Sequence, residues 1–185
     1  MKDLYVLAAD ADMEAVFRAV LARPDSLGIR PISFEIKVYW KHDAGVFREG
    51  PELLRAVPKG EFHYFLIAFD HDGSGCHTLP GDCAKTVQER MDSFTFTDRS
   101  TVVVIAPELE EWLWCHPSAI GDAQGLEAIV DPKERLHRVF LRRDKRKPRP
   151  RDYEQIVSRA NLDAWNSSPS FRIMKTTLQN WFPRT

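Results

Sequence analysis

Residues 62–75 read Phe-His-Tyr-Phe-Leu-Ile-Ala-Phe-Asp-His-Asp-Gly-Ser-Gly, and this stretch decides the fold. Its apolar, aromatic-rich run is too short to span a membrane and ends in two carboxylates, Asp70 and Asp72. This pattern is typical of a buried parallel strand that delivers acids to the carboxyl edge of a sheet. Because strand residues alternate sides, both carboxylates face the same way if the extended conformation continues through His71.

Two carboxylates on one side of a strand end suit a hard cation such as Mg²⁺ or Mn²⁺. Mg²⁺ binds one or two protein carboxylates and keeps coordination positions for water and phosphate. The simpler alternative is that Asp70 and Asp72 only cap the following turn, as aspartate often does.

Strand and helix patterns alternate along the first two thirds of the chain. Strands are predicted at 3–9, 31–40, 63–70 and 100–106. Helices are predicted from Asp10 or Asp12 to just before Pro24, at 51–57 and at 82–94, with 42–46 as a loop and Pro107 in the first turn of a further helix. This alternation predicts an α/β fold with a mostly parallel central sheet flanked by helices.

The pattern after residue 117 is helical and basic. Helices are predicted at 118–130, 132–143, 151–161 and 169–182. From Lys133 onward the chain has 14 Lys and Arg against 5 Asp and Glu, which leaves a surplus of ten acidic residues in 1–132. We expect an α/β core over 1–117 and a basic helical extension over 118–185 packed on it, as suits a metal-dependent enzyme acting on a polyanion.

Composition favours a cytoplasmic protein with no membrane partner, because no apolar stretch approaches about 20 residues and the chain begins with a strand pattern, not a signal peptide. Cys76, Cys83 and Cys115 are odd in number, which fits a reducing compartment. Their spacing with His77 and His116 matches no zinc pattern, so buried or incidental thiols are expected.

Acidic residues follow three of the predicted strands. They are Asp10 and Asp12, then Asp70 and Asp72, then Glu108, Glu110 and Glu111. Carboxylates gathered at one edge repel each other unless a cation or protons intervene, so the set predicts a metal site. Glu110 is the preferred ligand after the fourth strand, with its two neighbours as complements of the helix dipole.

This arrangement resembles the Toprim domain of topoisomerases, bacterial primases and several defence nucleases, in which a glutamate closes the first strand and a DxD follows a later one. Segments such as Asp-Met-Glu-Ala-Val-Phe, His-Asp-Ala-Gly and Pro-Glu-Leu-Glu-Glu-Trp are similar to small Toprim-like proteins of prokaryotic anti-phage loci, the methylation-associated defence system among them. The resemblance departs at Ala9, which stands where the family has its glutamate. Either Asp10 supplies that ligand or the site is incomplete.

The resemblance implies a Mg²⁺- or Mn²⁺-dependent nuclease, or a related phosphoryl-transfer component of phage defence. The expected metal ligands are Asp10, Asp70, Asp72 and Glu110. The metal would polarise a phosphodiester oxygen and activate a bound water, while Lys145 or Lys147 would stabilise transition-state charge. Asp70, Asp72, Glu110 and Lys147 are thus the predicted catalytic residues, and His71 or His77 is a candidate general base unless each is only a turn or surface residue.

A proline-broken basic segment is predicted to bind phosphates of nucleic acid, with DNA favoured, without reading sequence. Its predicted contacts are Arg142, Arg143, Lys145, Arg146, Lys147, Arg149 and Arg151. A solvated surface loop is the simpler interpretation of the same residues.

Two other functions stay open. A catalytically silent Toprim-like subunit that binds nucleic acid or other proteins of a defence operon is favoured by Ala9 and opposed by the intact DxD. A phosphatase with an aspartyl nucleophile also places DxD after a strand, but usually the first strand, with Thr or Val where this chain has Gly73.

Overall fold

A computed structural model describes residues 1–58, 60–94, 96–121 and 131–184. Within these ranges four strands form one parallel sheet in the order β2-β1-β3-β4. The strands are β1 (Lys2–Ala8), β2 (Phe34–Val38), β3 (Phe62–Asp70) and β4 (Ser100–Ile105). The α/β class with a parallel sheet flanked by helices is therefore confirmed.

The described helices surround this sheet and continue into the C-terminal part of the chain. They are α1 (Ala11–Leu21), α2 (Pro24–Leu27), α3 (His42–Arg55), α4 (Pro80–Ser93), α5 (Glu110–Trp114), α6 (Pro117–Ile120), α7 (Pro132–Asp144), α8 (Pro150–Arg159) and α9 (Pro169–Trp181), with a 3-10 turn at Ala164–Ser167. The portion of the helix predicted at 122–130 lies outside the described residues.

β3 is central because its apolar run is buried on both faces, and residues 66–69 are completely buried. Ala8 of β1 pairs with Ala68, and Asp70 pairs with Ile105 of β4. From the central strand β1 the chain first adds β2 on one side. It then crosses to the other side of β1 to add β3 and, next to it, β4. α3 and α4 contact each other, whereas α1 contacts α8, as expected if right-handed crossovers place α1 on one face and α3 and α4 on the other. In open α/β sheets a reversal of strand order like this one places a crevice at the carboxyl ends of the two central strands, here β1 and β3.

The loop predicted at 42–46 is wrong, because these residues form the start of α3. Pro51 suggested a helix start, yet it lies inside this helix. A proline there cannot donate to the carbonyl four residues earlier, which belongs to Phe47. Arg90 Nη1 donates to that carbonyl at 3.1 Å instead, so a side chain from α4 replaces the missing helical donor.

The helix start predicted at Pro107 is also wrong. α5 begins at Glu110, and the Ala106–Pro107 peptide bond is cis. The carbonyl of Pro107 accepts a hydrogen bond from the Asp72 backbone at 3.1 Å, so this residue extends the pairing at the sheet edge.

The helices that follow residue 131 share a core with the α/β part. Arg23 Nη1 donates to the carbonyls of Val157 and Ala160 in and after α8, at 2.6 and 2.9 Å. On α9, the Ser170 hydroxyl accepts from the buried indole of Trp112 at 2.8 Å. The extension is thus packed against α1 and α5, beside the crevice.

Candidate metal centre

Four acidic side chains come from the four strand ends that surround the crevice. Asp10 precedes α1 after β1, Asp43 lies in the first turn of α3 after β2, Asp70 ends β3, and Glu110 begins α5 after β4. The Asp70 backbone N–H donates to Asp43 Oδ1 at 2.8 Å, which joins the β2 and β3 ends directly. Parallel strands bring these ends to one edge, as the sequence predicted for three of them.

Asp70 is the most perturbed acid of the group. Its side chain is only 6% exposed, and its Oδ1 is buried without a hydrogen-bond partner among the described residues. Burial raises the pKa of Asp70 well above its ordinary value, and the carboxylates of Asp43, Glu110 and Asp10 raise it further. The position therefore disfavours a lone negative charge and favours a compensating cation.

Glu110 presents the second unpartnered oxygen. It is 1% exposed, and its Oε1 accepts a hydrogen bond from the Tyr153 hydroxyl at 2.6 Å. Its Oε2 is buried with no donor in the described part of the chain. Leaving a buried acceptor unsatisfied costs about 1–3 kcal/mol, and more for a charged group, so two such oxygens at one crevice call for a ligand.

Asp12 and Lys133 border this group. Burial raises the pKa of Asp12 to about 6, with further contributions from Asp10 and Glu110. Lys133 is half-buried on α7; burial alone would lower its pKa, but the carboxylates of Glu110, Glu108, Asp70 and Asp10 outweigh that and raise it. The ammonium of Lys133 therefore lies in the field of the acidic cluster and partly offsets it.

The Asp10 carboxylate caps a helix and is also a predicted metal ligand. Its Oδ1 accepts from the Met13 backbone N–H at 2.8 Å and so caps α1. The preceding Ala9, at the position where the Toprim resemblance implies a glutamate, is completely buried in the core. Only the second oxygen of Asp10 is left for a ligand.

Asp72 does not join Asp70, and the condition for their facing the same way is not met. β3 ends at Asp70, and the chain turns through Gly73, whose φ is +89°. The Asp72 side chain is 62% exposed and lies 3.6 Å from His71 Nδ1. The DxD pattern therefore contributes one buried acid and one surface acid.

The donor set fits a hard divalent cation. Carboxylate oxygens at strand ends are the ligands that Mg²⁺ and Mn²⁺ prefer, and the buried oxygens Asp70 Oδ1 and Glu110 Oε2 have no hydrogen-bond donor among the described residues. Within the described ranges, no three carboxylates bring oxygens within 4.8 Å of one another. A cation bound here would thus keep several waters, as Mg²⁺ usually does.

Cys76 and Cys83 form a disulfide, so the expectation of thiols is wrong for this pair. The pairing has a simple local cause, since the loop after β3 returns Cys76 to the first turn of α4, where Cys83 lies buried. Cys115 is unbridged and half-buried, and burial raises the pKa of its thiol.

Two of the predicted phosphate-binding cations are paired with carboxylates. Arg146 contacts both oxygens of Asp152 at 2.6 and 2.8 Å, and Arg143 contacts Asp144 at 3.0 Å. Lys145 is the C-cap residue directly after α7, and its Nζ donates to the carbonyl of Arg142 at 3.3 Å. The exposed residues of the segment are Arg142, Arg143, Lys145, Lys147, Arg149 and Arg151.

Lys147, the predicted catalytic cation, is exposed, and its side chain makes no hydrogen bond or ion pair with a described residue. The lysine that is coupled to the acidic cluster is Lys133. Sequence reasoning missed it together with Asp43 and Tyr153. Asp43 follows a predicted strand and was detectable by the strand-end rule, whereas the other two come from the extension, where no local pattern marks them.

A scan against protein-family models, a search of curated proteins and a search of solved structures each gave no match. The relation to Toprim domains therefore stays a prediction from the sequence. None of the described helices is long and apolar enough to cross a membrane.

Proposed function

We propose that the protein is a divalent-metal-dependent phosphoryl-transfer enzyme, namely a cytoplasmic nuclease that cleaves DNA in prokaryotic phage defence. The observation that supports this is the pair of buried, unpartnered oxygens, Asp70 Oδ1 and Glu110 Oε2, at the crevice of a parallel sheet. A cation that satisfies both would also retain open positions for water and a phosphate oxygen.

Asp70, Glu110 and the second oxygen of Asp10 would hold Mg²⁺ or Mn²⁺. When bound, the metal polarises a phosphodiester oxygen and lowers the pKa of a coordinated water. The chain positions these ligands itself. Tyr153 donates to Glu110 Oε1 and fixes its carboxylate, and Asp43 accepts from the Asp70 backbone and fixes the end of β3.

Lys133 is the best placed cation for the phosphate. Its ammonium is half-buried in the field of the acidic cluster and would meet the added negative charge of a phosphodiester. Preorganised positive charge of this kind stabilises a phosphoryl-transfer transition state. We therefore assign to Lys133 the stabilisation of transition-state charge that the sequence analysis assigned to Lys147. Lys147 remains a candidate for contact with a phosphate further along the DNA strand.

The exposed side chains of Arg142, Lys147 and Arg151 would bind the DNA backbone. They make no ion pair with a described residue, so their charges are available to phosphates. Such contacts are independent of sequence and weaken steeply as salt increases. Arg143 and Arg146 contribute less, because each already has a carboxylate partner.

One observation favours the second candidate, a catalytically silent Toprim-like subunit that binds nucleic acid or partner proteins in a defence complex. Ala9 is buried where a ligand was expected, and Asp10 uses one oxygen to cap α1. A centre with two firm ligands could bind a cation too weakly for turnover.

Incubation of the purified protein with plasmid, single-stranded DNA and RNA in Mg²⁺ or Mn²⁺ separates the two candidates. Asp70→Asn removes the buried charge with little change in shape, and Asp25→Asn, at a 93% exposed carboxylate, is the matched control. The proposal expects metal-dependent cleavage by wild type and Asp25→Asn and none by Asp70→Asn. Retention of DNA without cleavage by any of them would support the silent subunit.

A further inference from the structure

A second group of possible metal ligands lies beside the acidic crevice and uses different chemistry. His71, Cys76 and Cys83 each place one ligand atom within 4.8 Å of the other two. Among the described residues, no other group of three His, Cys, Asp or Glu side chains meets this distance. The two sulfurs are joined as a disulfide in this structure.

Sulfur and imidazole nitrogen are the ligands that Zn²⁺ prefers, whereas the crevice offers only carboxylates. With Zn–S near 2.3 Å and Zn–N near 2.0–2.1 Å, tetrahedral ligand atoms lie roughly 3.3–3.8 Å apart. The three ligand atoms lie within 4.8 Å of one another, so modest shifts would bring them to this spacing. Opening the disulfide and separating its two sulfurs would complete the geometry.

The imidazole of His71 is fixed by one backbone hydrogen bond, and its Nδ1, which lies 3.6 Å from Asp72 Oδ1, makes none with a described residue. Its Nε2 lies 2.8 Å from the carbonyl oxygen of Thr78, which can only accept, so Nε2 donates. The lone pair of the neutral ring is therefore on Nδ1. A backbone carbonyl that accepts from the second nitrogen is the usual support for a metal-binding histidine.

The two cysteines are also held in place from outside the cluster. Ser74 is completely buried, donates to the His71 carbonyl at 2.7 Å, and accepts from the Cys76 backbone at 3.1 Å. Cys83 is completely buried in the first turn of α4, a helix of 14 residues. The positive end of such a helix stabilises a thiolate.

We propose that His71, Cys76 and Cys83 form a zinc site that a dithiol reductant makes available. The reductant supplies two electrons and two protons, the S–S bond breaks to give two thiols, and the reductant becomes its own disulfide. Zn²⁺ then displaces the two thiol protons and binds both thiolates and His71 Nδ1. Water takes the fourth tetrahedral position.

This site is separate from the acidic centre in its ligands but adjacent to it in the chain. His71 directly follows Asp70, and residues 71–79 form the connection from β3 to α4. Zinc would thus fix the loop next to the crevice in the reducing compartment where the proposed function is placed. Zinc binding at this site does not depend on the acidic centre, because the ligands proposed for that centre are different residues.

The test is metal titration of the full chain after reduction and removal of metal. Zn²⁺ is measured by competition with a chromophoric chelator, and Co²⁺ is measured by its thiolate charge-transfer and tetrahedral absorption bands. Cys83→Ser and Cys76→Ser remove one sulfur each, and Cys115→Ser is the matched control at the unbridged cysteine. Asp70→Asn reports any zinc that binds the acidic centre instead, and circular dichroism checks that each variant is folded.

Reduced wild type, Cys115→Ser and Asp70→Asn are each expected to show a cobalt–thiolate band that saturates when one equivalent is bound to sulfur. Oxidised wild type is expected to lack the band, and either sulfur variant is expected to lose affinity at least about 10-fold, the effect typical of a disturbed metal shell. Absence of the band from reduced wild type would overturn the proposal. So would unchanged binding in both folded sulfur variants, or loss of zinc only in Asp70→Asn.

Discussion

Asp70→Asn is expected to stabilise the metal-free protein while abolishing its response to metal. In the wild type, Asp70 Oδ1 is buried without a partner in the described part of the chain, and the pKa of the carboxyl is raised, first by burial and then by Asp43. A buried polar group without a partner costs about 1–3 kcal/mol, and more when it is charged. The amide keeps a neutral polar group here and leaves no cavity, so it relieves only the extra cost of the charge, which is also of the order of 1–3 kcal/mol. For a chain of this size each kcal/mol corresponds to about 2–4 °C, so Tm should rise by roughly 2–12 °C at pH 8.

The effect of metal should run in the opposite direction. A cation present at about 100 times its Kd stabilises the wild type by about 2.7 kcal/mol, whereas the variant gains little. The difference in Tm between the variant and the wild type should also shrink as the pH is lowered. The raised pKa means that the Asp70 carboxyl of the wild type is protonated, and so loses its charge, at a higher pH than an ordinary aspartate does. Thermal unfolding of wild type, Asp70→Asn and the surface control Asp25→Asn, with and without Mn²⁺ and at several pH values from 8 downward, measures all three effects.

Two results would refute this reasoning. A fall of several degrees in the metal-free Tm of Asp70→Asn would mean that the charge is stabilised by groups the structure does not show as partners. An undiminished Mn²⁺ shift in the variant would mean that the cation binds elsewhere.

Three further changes test separate parts of the structure. Tyr153→Phe removes the hydroxyl that donates to Glu110 Oε1. The free energy of unfolding measured in urea should fall by about 1–3 kcal/mol, and Mn²⁺ should bind about 10-fold more weakly. No change in either measurement would exclude a role for Tyr153 in positioning Glu110. The pKa of Asp12 is about 6 in the folded protein against an ordinary value of 3.8. Between these pH values the folded protein binds more protons than the unfolded chain. The free energy of unfolding without metal should therefore fall as the pH rises from about 4 to above 6. After discounting for partial exposure this amounts to about 1–2 kcal/mol, and Asp12→Asn should flatten the urea-derived pH profile; an unchanged slope would contradict the assignment. Replacing Lys147 and Arg151 together by alanine should reduce the slope of log K for DNA binding against log salt concentration by about 2. Arg146→Ala removes the partner of Asp152, so it should lower the stability of the protein with little effect on that slope. Equal slopes in the two variants would contradict this prediction.

The sheet was predictable because its signal is local. β3 and β4 are continuous apolar runs of strand length, and acids directly after such runs must lie at the carboxyl edge of a parallel sheet. The same rule identifies Asp70 and Glu110 from the sequence alone, and it extends to Asp43 once α3 is recognised to begin at His42.

The remaining features depend on residues distant in the chain. Pro51 is tolerated inside α3 because Arg90, from another helix, supplies a donor to Phe47. Asp72 is exposed because the chain leaves β3 after Asp70 and turns through Gly73. Tyr153 reaches Glu110 across 43 positions, and no periodicity in the extension encodes that contact.

The position of Mn²⁺ in a crystal of the wild-type protein, located by anomalous scattering, tests the central claim most directly. The account predicts a peak at coordination distance, roughly 2.0–2.3 Å, from Asp70 Oδ1 and Glu110 Oε2, with waters in the remaining positions. Mn²⁺ found only at surface acids such as Asp72, with both buried oxygens still lacking a ligand, would contradict it.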